Sequence, residues 1–278
     1  MNALYDHIGI SKQAVHQYAK RQAVYDQQVE RLVLEADELR KLHPGCGVEK
    51  MYYTLRPDFI GRDRFVELMM QLGYRLRRKK NYQRTTTASL IYYPNLIEGR
   101  LVSAPSQLWQ SDITYILVDQ SYYYAVFIID VYTKQIVGYQ VSDHMRATAN
   151  LRALKMALAN HLAPQIHHSD RGSQYTYRDY VNLLKDNGTQ LSMCQSAPEN
   201  AYAERINRTI KEEYLDHWKP TDFRQLKRCT NQAVTHYNYH RPHNHIGRRS
   251  PVAFAQYWKS LSEKQRPEIT IFNHQNNP

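Results

Sequence analysis

The chain is 278 residues long, enough for one large domain or two to three small ones that each bury a core. Its 37 Lys and Arg outnumber 26 Asp and Glu for a net charge of +11, which favours a polyanionic partner, and with no apolar run of about 18 residues to cross a bilayer that partner reads as nucleic acid rather than membrane. Cys46, Cys194 and Cys229 are odd in number and far apart, which argues against a disulfide framework, fits a reducing cytoplasm, and leaves the 13 histidines without the thiolates of a common structural zinc site. No charged-then-apolar leader of a secreted chain opens the sequence.

The N-terminal part is helical in pattern. "DHIGISKQAVHQYAKRQ" reads as a helix, a turn at Gly9 and a second helix capped by Ser11 with Val15 on its inner side, the outline of a helix-turn-helix. Within 24–42, Val29, Leu32, Val33, Ala36 and Leu39 recur at helical spacing. "HPGCGVEKMYYTLRPDFIGRDRFVELMMQLGYRLRRKK" gives a second helical pair, with Val48, Met51 and Leu55 on one helix and Phe65, Leu68, Met69 and Leu72 on the next, closed by Gly73. The run Arg77, Arg78, Lys79 and Lys80 follows at once; charge runs are usually solvated faces, but one directly behind a helical pair suits phosphate contact. Residues 81–105, with Pro94 and Pro105, read as a linker.

Beyond Ser106 the pattern turns to strands. In "QLWQSDITYI" Trp109, Ile113 and Tyr115 alternate with Gln110, Asp112 and Thr114, and "YYYAVFIID" and "QIVGYQVS" supply two more strands at hairpin spacing. A helix carrying Leu151, Leu154, Leu158 and Leu162 on one stripe is stopped by Pro164. A short strand at Gln165–His168, a helix near Tyr177–Asn187 closed by Gly188, a strand at Gln190–Cys194 and a helix from about Asn200 follow.

The order β-β-β-α-β-α-β-α lets the first and fourth strands lie side by side in parallel, with the intervening helix as crossover, and this makes neighbours of Asp112 and Asp170. Two carboxylates about 4 Å apart repel by roughly 4 kcal/mol at an effective dielectric of about 20, so something cationic must offset them. Arg171 is one candidate partner for Asp170; a magnesium ion, which takes few carboxylates plus phosphate oxygens and water, is another. A third acid, Glu204 in "ENAYAERINRTIKEE", shares a helix face with Arg208 and Lys211. By spacing alone it serves equally well as one half of an ion-pair ladder with Arg208.

"WQSDITYI", "VYTKQIVGYQVSDHM", "HHSDRGSQYT", "SMCQSAPENAYAERINRTIKEE" and "YNYHRPHNHIGRRSPVAF" resemble the successive signatures of DDE transposases and integrases, specifically the IS-three insertion-sequence family of second-reading-frame type, over about residues 44–256. The resemblance implies an α/β fold: an RNase H-like integrase core with a mixed five-stranded sheet, preceded by all-α helix-turn-helix modules. It divides the chain into a helix-turn-helix and connecting helix (1–43), a second DNA-binding helical pair (44–80), the linker (81–105), the catalytic core (106–220) and a helical, basic tail (221–278). Asp112, Asp170 and Glu204 carry over as the catalytic and metal-binding triad. Glu204 follows Asp170 by 34 positions, a step shorter than the family's usual one, and this raises Glu199 as a rival that precedes the helix.

What the family implies is two Mg2+ ions per site, with Mn2+ as substitute, and two reactions: water frees a 3' hydroxyl at an element end, and that hydroxyl attacks another phosphodiester, first at the other end to give a circle and later in target DNA. The implied partners are double-stranded DNA, as terminal inverted repeats and target, further copies of the chain assembled on it, and an upstream-frame protein or fusion, in a bacterial cytoplasm and with no membrane. Arg208 and Lys211 correspond to basic residues that grip the DNA end in retroviral integrases. Arg77, Arg78, Lys79, Lys80, Arg171, Arg241, Arg248 and Arg249 complete the expected DNA contacts, Arg171 doubling as a loop brace. His168 either orients a water or phosphate or is a packed hydrogen-bonding group, and Tyr175 and Tyr202 are the tyrosines nearest the acids in sequence for stacking. A DNA-binding regulator without catalysis and a purely hydrolytic nuclease of the same fold are the competing readings.

Overall fold

The computed structural model describes residues 11–76 and 92–271. The chain falls into two compact units, Met1–Arg78 and Lys79–Pro278. In the first, α1 (Lys12–Leu42) is a single helix of 31 residues, its N-terminus capped by Ser11, whose hydroxyl accepts from the Ala14 amide at 3.1 Å. The capped helix expected from Ser11 and the periodic stretch 24–42 are one element, because no Gly or Pro interrupts 12–42. The helix expected before Gly9 and the run Arg77–Lys80 lie outside the described residues.

Leu32, Ala36 and Leu39 of α1 pack on α2 (Val48–Leu55) and α3 (Arg62–Gln71) around Met51, Phe65 and Met69, a three-helix core. Gly73 sits at φ +88 just past α3, a conformation that favours glycine over any side chain.

The second unit is built on a five-stranded mixed sheet. Its strands are β2 (Leu108–Val118), β3 (Ser121–Asp130), β4 (Ile136–Ser142), β5 (Ile166–Ser169) and β6 (Gln190–Met193), in spatial order β4-β3-β2-β5-β6. β2, β3 and β4 pair antiparallel through short connections, whereas β5 and β6 run parallel to β2, as crossover helices require. A small antiparallel pair, β1 (Leu101–Val102) with β7 (Ile269–Thr270), lies apart from this sheet. Residues 92–105, expected as linker, are packed: Ile97 and Val102 are buried with Leu108, Ile166, Phe254 and Ile271. Their apolar residues are too irregularly spaced to register as a strand or a helix.

One sheet face is covered by α4 (Ala147–Asn160) and α5 (Arg178–Asp186), the other by α6 (Ala201–Ile210) and α7 (Phe223–Tyr239). α4 lies close to the sheet. A Cβ placed on Gly138 of β4 would come 2.3 Å from the Ala153 carbonyl oxygen, so this glycine permits the approach. Ala149, Ala153, Leu154 and Ala157 are the buried apolar residues of α4; of the expected leucine stripe Leu154 is buried and Leu151 and Leu158 pack partly buried beside it, while Leu162 is 82% exposed beyond the helix end. After α6 the helix passes into a π-helical turn at Lys211–Leu215, and α8 (Pro251–Ser260) follows α7 near the end of the chain.

Candidate active site

In the parallel β2–β5 pair Ser111 lies opposite Ser169, so the next residues, Asp112 within β2 and Asp170 just past the end of β5, stand at the same level. Parallel strands stand about 4.8 Å apart, which sets the two carboxylates side by side. Both are partly buried. Loss of hydration pushes the Asp112 carboxyl up to about 8, and the charges of Asp170 and Glu204 add to it, against hydrogen bonds from the Ile113 amide and Asn207. Asp170 is raised by burial too, opposed by the Gly172 amide, which donates to Oδ1 at 3.0 Å. A Cβ at Gly172 would fall 2.9 Å from Gln174 Oε1 and 3.0 Å from Asp170 Oδ1, so a side chain there would press on this carboxylate.

Glu204 stands exposed in the first turns of α6. Burial raises its pKa, Arg208 lowers it, and the Asp170 charge raises it again, which places all three acids within electrostatic reach of one another. No described Lys, Arg or His forms an ion pair with any of them. Arg171 points elsewhere: its Nε donates to the Cys194 carbonyl at 3.1 Å.

Among the described residues no three His, Cys, Asp or Glu side chains are drawn into a ready cation cage. The donor chemistry nonetheless fits a hard divalent cation: two adjacent oxygen-only ligands, desolvated and without a cationic partner, carry the charge such an ion neutralises.

The elements that carry the acids are tied together by amides that the sequence reading missed. Gln110, two residues before Asp112 on the same strand face, donates from Nε2 to the Glu199 carbonyl at 3.1 Å, and its Oε1 accepts from the Tyr202 amide at 3.2 Å. Asn200 Nδ2 donates to the Ser111 carbonyl at 3.1 Å. Asn207, one turn past Glu204, donates from Nδ2 to Asp112 Oδ2 at 2.7 Å. Together they hold the N-terminal half of α6 against β2. The spacing i, i+2 on the strand and i, i+3 on the helix was the available signal for Gln110 and Asn207.

Models of the integrase core domain match residues 102–198 and 188–251. The chain is 33% identical over 211 residues to the insertion element IS600 uncharacterized 31 kDa protein of Shigella sonnei, covering 73% of this chain and 78% of that one. It is 30% identical over 237 residues to a putative transposase for insertion sequence element IS986/IS6110 of Mycobacterium tuberculosis, covering 80% and 84%. It is 34% identical over 167 residues to transposase InsF for insertion sequence IS3A of Escherichia coli, 58% of each. The chain belongs to the IS-three family of insertion-sequence transposases. Among solved structures, the simian T-cell lymphotropic virus intasome in complex with PP2A regulatory subunit B56 gamma aligns with a TM-score of 0.53 at 16% identity, over 84% of this chain and 77% of that one, a likeness of fold.

In this transposase-family chain the remaining expected site residues separate into two groups. Arg208 and Lys211 follow Glu204 along α6; Arg208 is exposed and its nearest acid is Glu212 at 4.0 Å, not Glu204. Arg248 is exposed, and Arg249 lies 3.9 Å over the Tyr257 ring. Arg241, expected to touch DNA, is instead buried: its Nε and a terminal nitrogen both reach the Glu213 carboxylate at 2.7 Å. The π-helical turn explains this pairing, since its added residue rotates Glu213 and Tyr214 inward to meet Arg241 and His236 of the α7 end.

Glu199 is buried and saturated, accepting from Asn95 Nδ2 at 2.9 Å, the Gln195 amide at 2.7 Å and Ser196 Oγ at 2.9 Å, which makes it a brace for the loop before α6. His168 is buried against Ser192 Oγ at 2.8 Å, and desolvation pulls its pKa down to about 4, so it packs as a neutral ring. Tyr175 is buried with its hydroxyl on Ser111 Oγ, and the Tyr202 ring is covered by Lys134 Nζ at 4.0 Å, so neither offers a free face of the kind expected for stacking. No described helix is long and apolar enough to cross a membrane.

Proposed function

We propose that the chain cleaves DNA at the ends of its insertion sequence and joins the freed 3' hydroxyl to a second phosphodiester, with Asp112, Asp170 and Glu204 as the acids that bind divalent metal. The observation that carries this reading is the pair of desolvated aspartates in register on parallel strands, with a third acid in electrostatic reach and, among the described residues, no ion pair to any of the three. Glu204 is preferred to Glu199 because Glu199 already accepts three hydrogen bonds from its own loop. A pair of Mg2+ ions, with Mn2+ as substitute, would supply neutralisation of these acids and activation of the attacking and leaving oxygens of an in-line displacement.

The protein's own residues supply the framework for that chemistry. Asn207 fixes the orientation of Asp112, while Gln110 and Asn200 lock the helix bearing Glu204 to the strand bearing Asp112. No side-chain nucleophile is needed, because water and then a DNA hydroxyl attack. Arg208 and Lys211, one and two turns beyond Glu204, would take the phosphates of the DNA end, and the basic residues Arg248 and Arg249 and the sequence run Arg77–Lys80 would add contacts along the duplex. The reading includes assembly of several copies on DNA, as terminal repeats and target must be held together.

The test is direct. The purified chain is incubated with Mg2+ and duplexes carrying the element's terminal repeats, and the products are sequenced. Strand-specific nicks at the repeat boundary and end-to-end joints are expected; binding without strand cleavage, or cleavage without any joint, would overturn it.

A further inference from the structure

Tyr175 and Tyr202 are covered, but another aromatic ring stands open against Arg171, the residue after Asp170. Tyr92 is 64% exposed, and the Arg171 guanidinium lies 5.2 Å from its ring centroid. Arg171 is the residue after Asp170, so the backbone that carries this pair joins the strand end that bears one of the acids. The exposure of Tyr92 is not that of a slack segment. Tyr93 packs into the sheet's core cluster, Asn95 donates to Glu199, and the Leu96 amide donates to Ser192 Oγ at 2.9 Å. The backbone that presents the ring is thus pinned within four residues of it.

Arg171 is held as firmly. Its Nε is tied to the Cys194 carbonyl, which leaves both terminal nitrogens without a hydrogen-bond partner among the described residues, and no carboxylate pairs with it. A preordered guanidinium fork without an acid, stacked against an open aromatic ring, matches the two halves of a nucleotide: the ring offers a face to a base and the fork offers two donors to a phosphate. A base within a duplex has both faces occupied by its neighbours. The ligand that fits is therefore an unpaired base.

Resting on the DNA-processing reading above, we propose that Tyr92 and Arg171 form a subsite that stacks an unpaired nucleobase and holds its phosphate where the DNA end enters the acid cluster. Base stacking on an aromatic side chain contributes about 1–3 kcal/mol, so its loss should weaken binding of such an end by roughly 5- to 150-fold.

The experiment uses the full chain in EDTA, with two generic duplexes that differ only in a two-nucleotide unpaired tail carrying 2-aminopurine. Wild type should bind the tailed duplex more tightly than the blunt one and quench the 2-aminopurine. Tyr92→Ala should lose both the quench and the preference, Tyr92→Phe should keep both, Arg171→Gln should lose the preference, and the two Tyr92 variants should bind the blunt duplex like wild type. The proposal is overturned if Tyr92→Ala retains the tail preference, or if it weakens tailed and blunt duplexes equally. Because cleavage is not read here, failure of the catalytic reading would show separately, as no strand cleavage by wild type in Mg2+ while the tail preference persists.

Discussion

The helix that starts at Ala201 presents acids at two places, and their surroundings are opposite. Glu213, in the π-helical turn, meets Arg241 through two 2.7 Å contacts; burial alone would lower the Arg241 pKa, and Glu213 more than reverses that. Nine residues earlier Glu204 lies within electrostatic reach of Asp112 and Asp170, two acids that have lost hydration and have no ion pair among the described residues. Both clusters bear the cost of taking charge out of water. Only one is compensated from within the protein, and this separates an ionic group that holds structure from one that awaits a ligand.

The largest contrast should come from removing an acid at each end. Asp112→Asn or Asp170→Asn should abolish cleavage and joining while leaving DNA binding intact. Metal-free stability should respond in the sense opposite to a lost salt bridge. Asp112 moves from an ordinary 3.8 to about 8 on folding, so the native state holds its proton more tightly between those values and stability falls as pH rises from about 4 to about 8. Thermal denaturation across that range should show this decline in wild type without metal and a flatter curve in Asp112→Asn.

Glu213→Ala should instead destabilise by about 3 kcal/mol, because it strands a buried guanidinium, and the double replacement Glu213→Leu with Arg241→Met should recover much of that loss. Chemical denaturation measures both. If Glu213→Ala unfolds like wild type, the contrast between the two ends of the helix collapses.

A finer comparison sets Glu204 against Glu199. Glu204→Gln should lose activity at unchanged stability, whereas Glu199→Gln should cost about 1–2 kcal/mol of stability by disturbing a buried network and retain activity. The sequence alone raised Glu199 as a rival ligand, and its burial and three hydrogen bonds are what make it a brace. Inactivity of Glu199→Gln together with activity of Glu204→Gln would reverse the assignment.

The adjacency of Asp112 and Asp170 was legible before the structure because strand order and the parallel crossover rule determine it. Family resemblance supplied the core and its mixed sheet. Arg241 was misread because its partner lies 28 positions away across a π-helical turn, an irregularity that 3.6-residue periodicity cannot reveal. Gln110, Asn200 and Tyr92 escaped for a related reason: an amide clamp or an open ring acquires meaning only from what stands opposite it. The packed stretch 92–105 read as linker since irregular apolar spacing carries no period.

The smallest effect belongs to the surface. Arg208→Ala with Lys211→Ala removes at most an exposed pair with Glu212, worth about 0.3–0.5 kcal/mol, so the melting temperature should barely move. The salt dependence of binding to DNA ends should flatten by about one unit of slope per lost phosphate contact. A marked drop in stability with unchanged salt dependence would make these residues structural.

Asp112, Asp170 and Glu204 are read as a cation site that no ion pair among the described residues neutralises. The site is tested most directly by isothermal titration calorimetry of Mg2+ into the DNA-free chain at pH 7, in two buffers of different ionisation enthalpy. The account requires Mg2+ binding accompanied by proton release, since Asp112 holds its proton up to about 8, and loss of that binding in Asp112→Asn and Asp170→Asn. Binding that is unaltered by those substitutions, or absent from wild type, would contradict it.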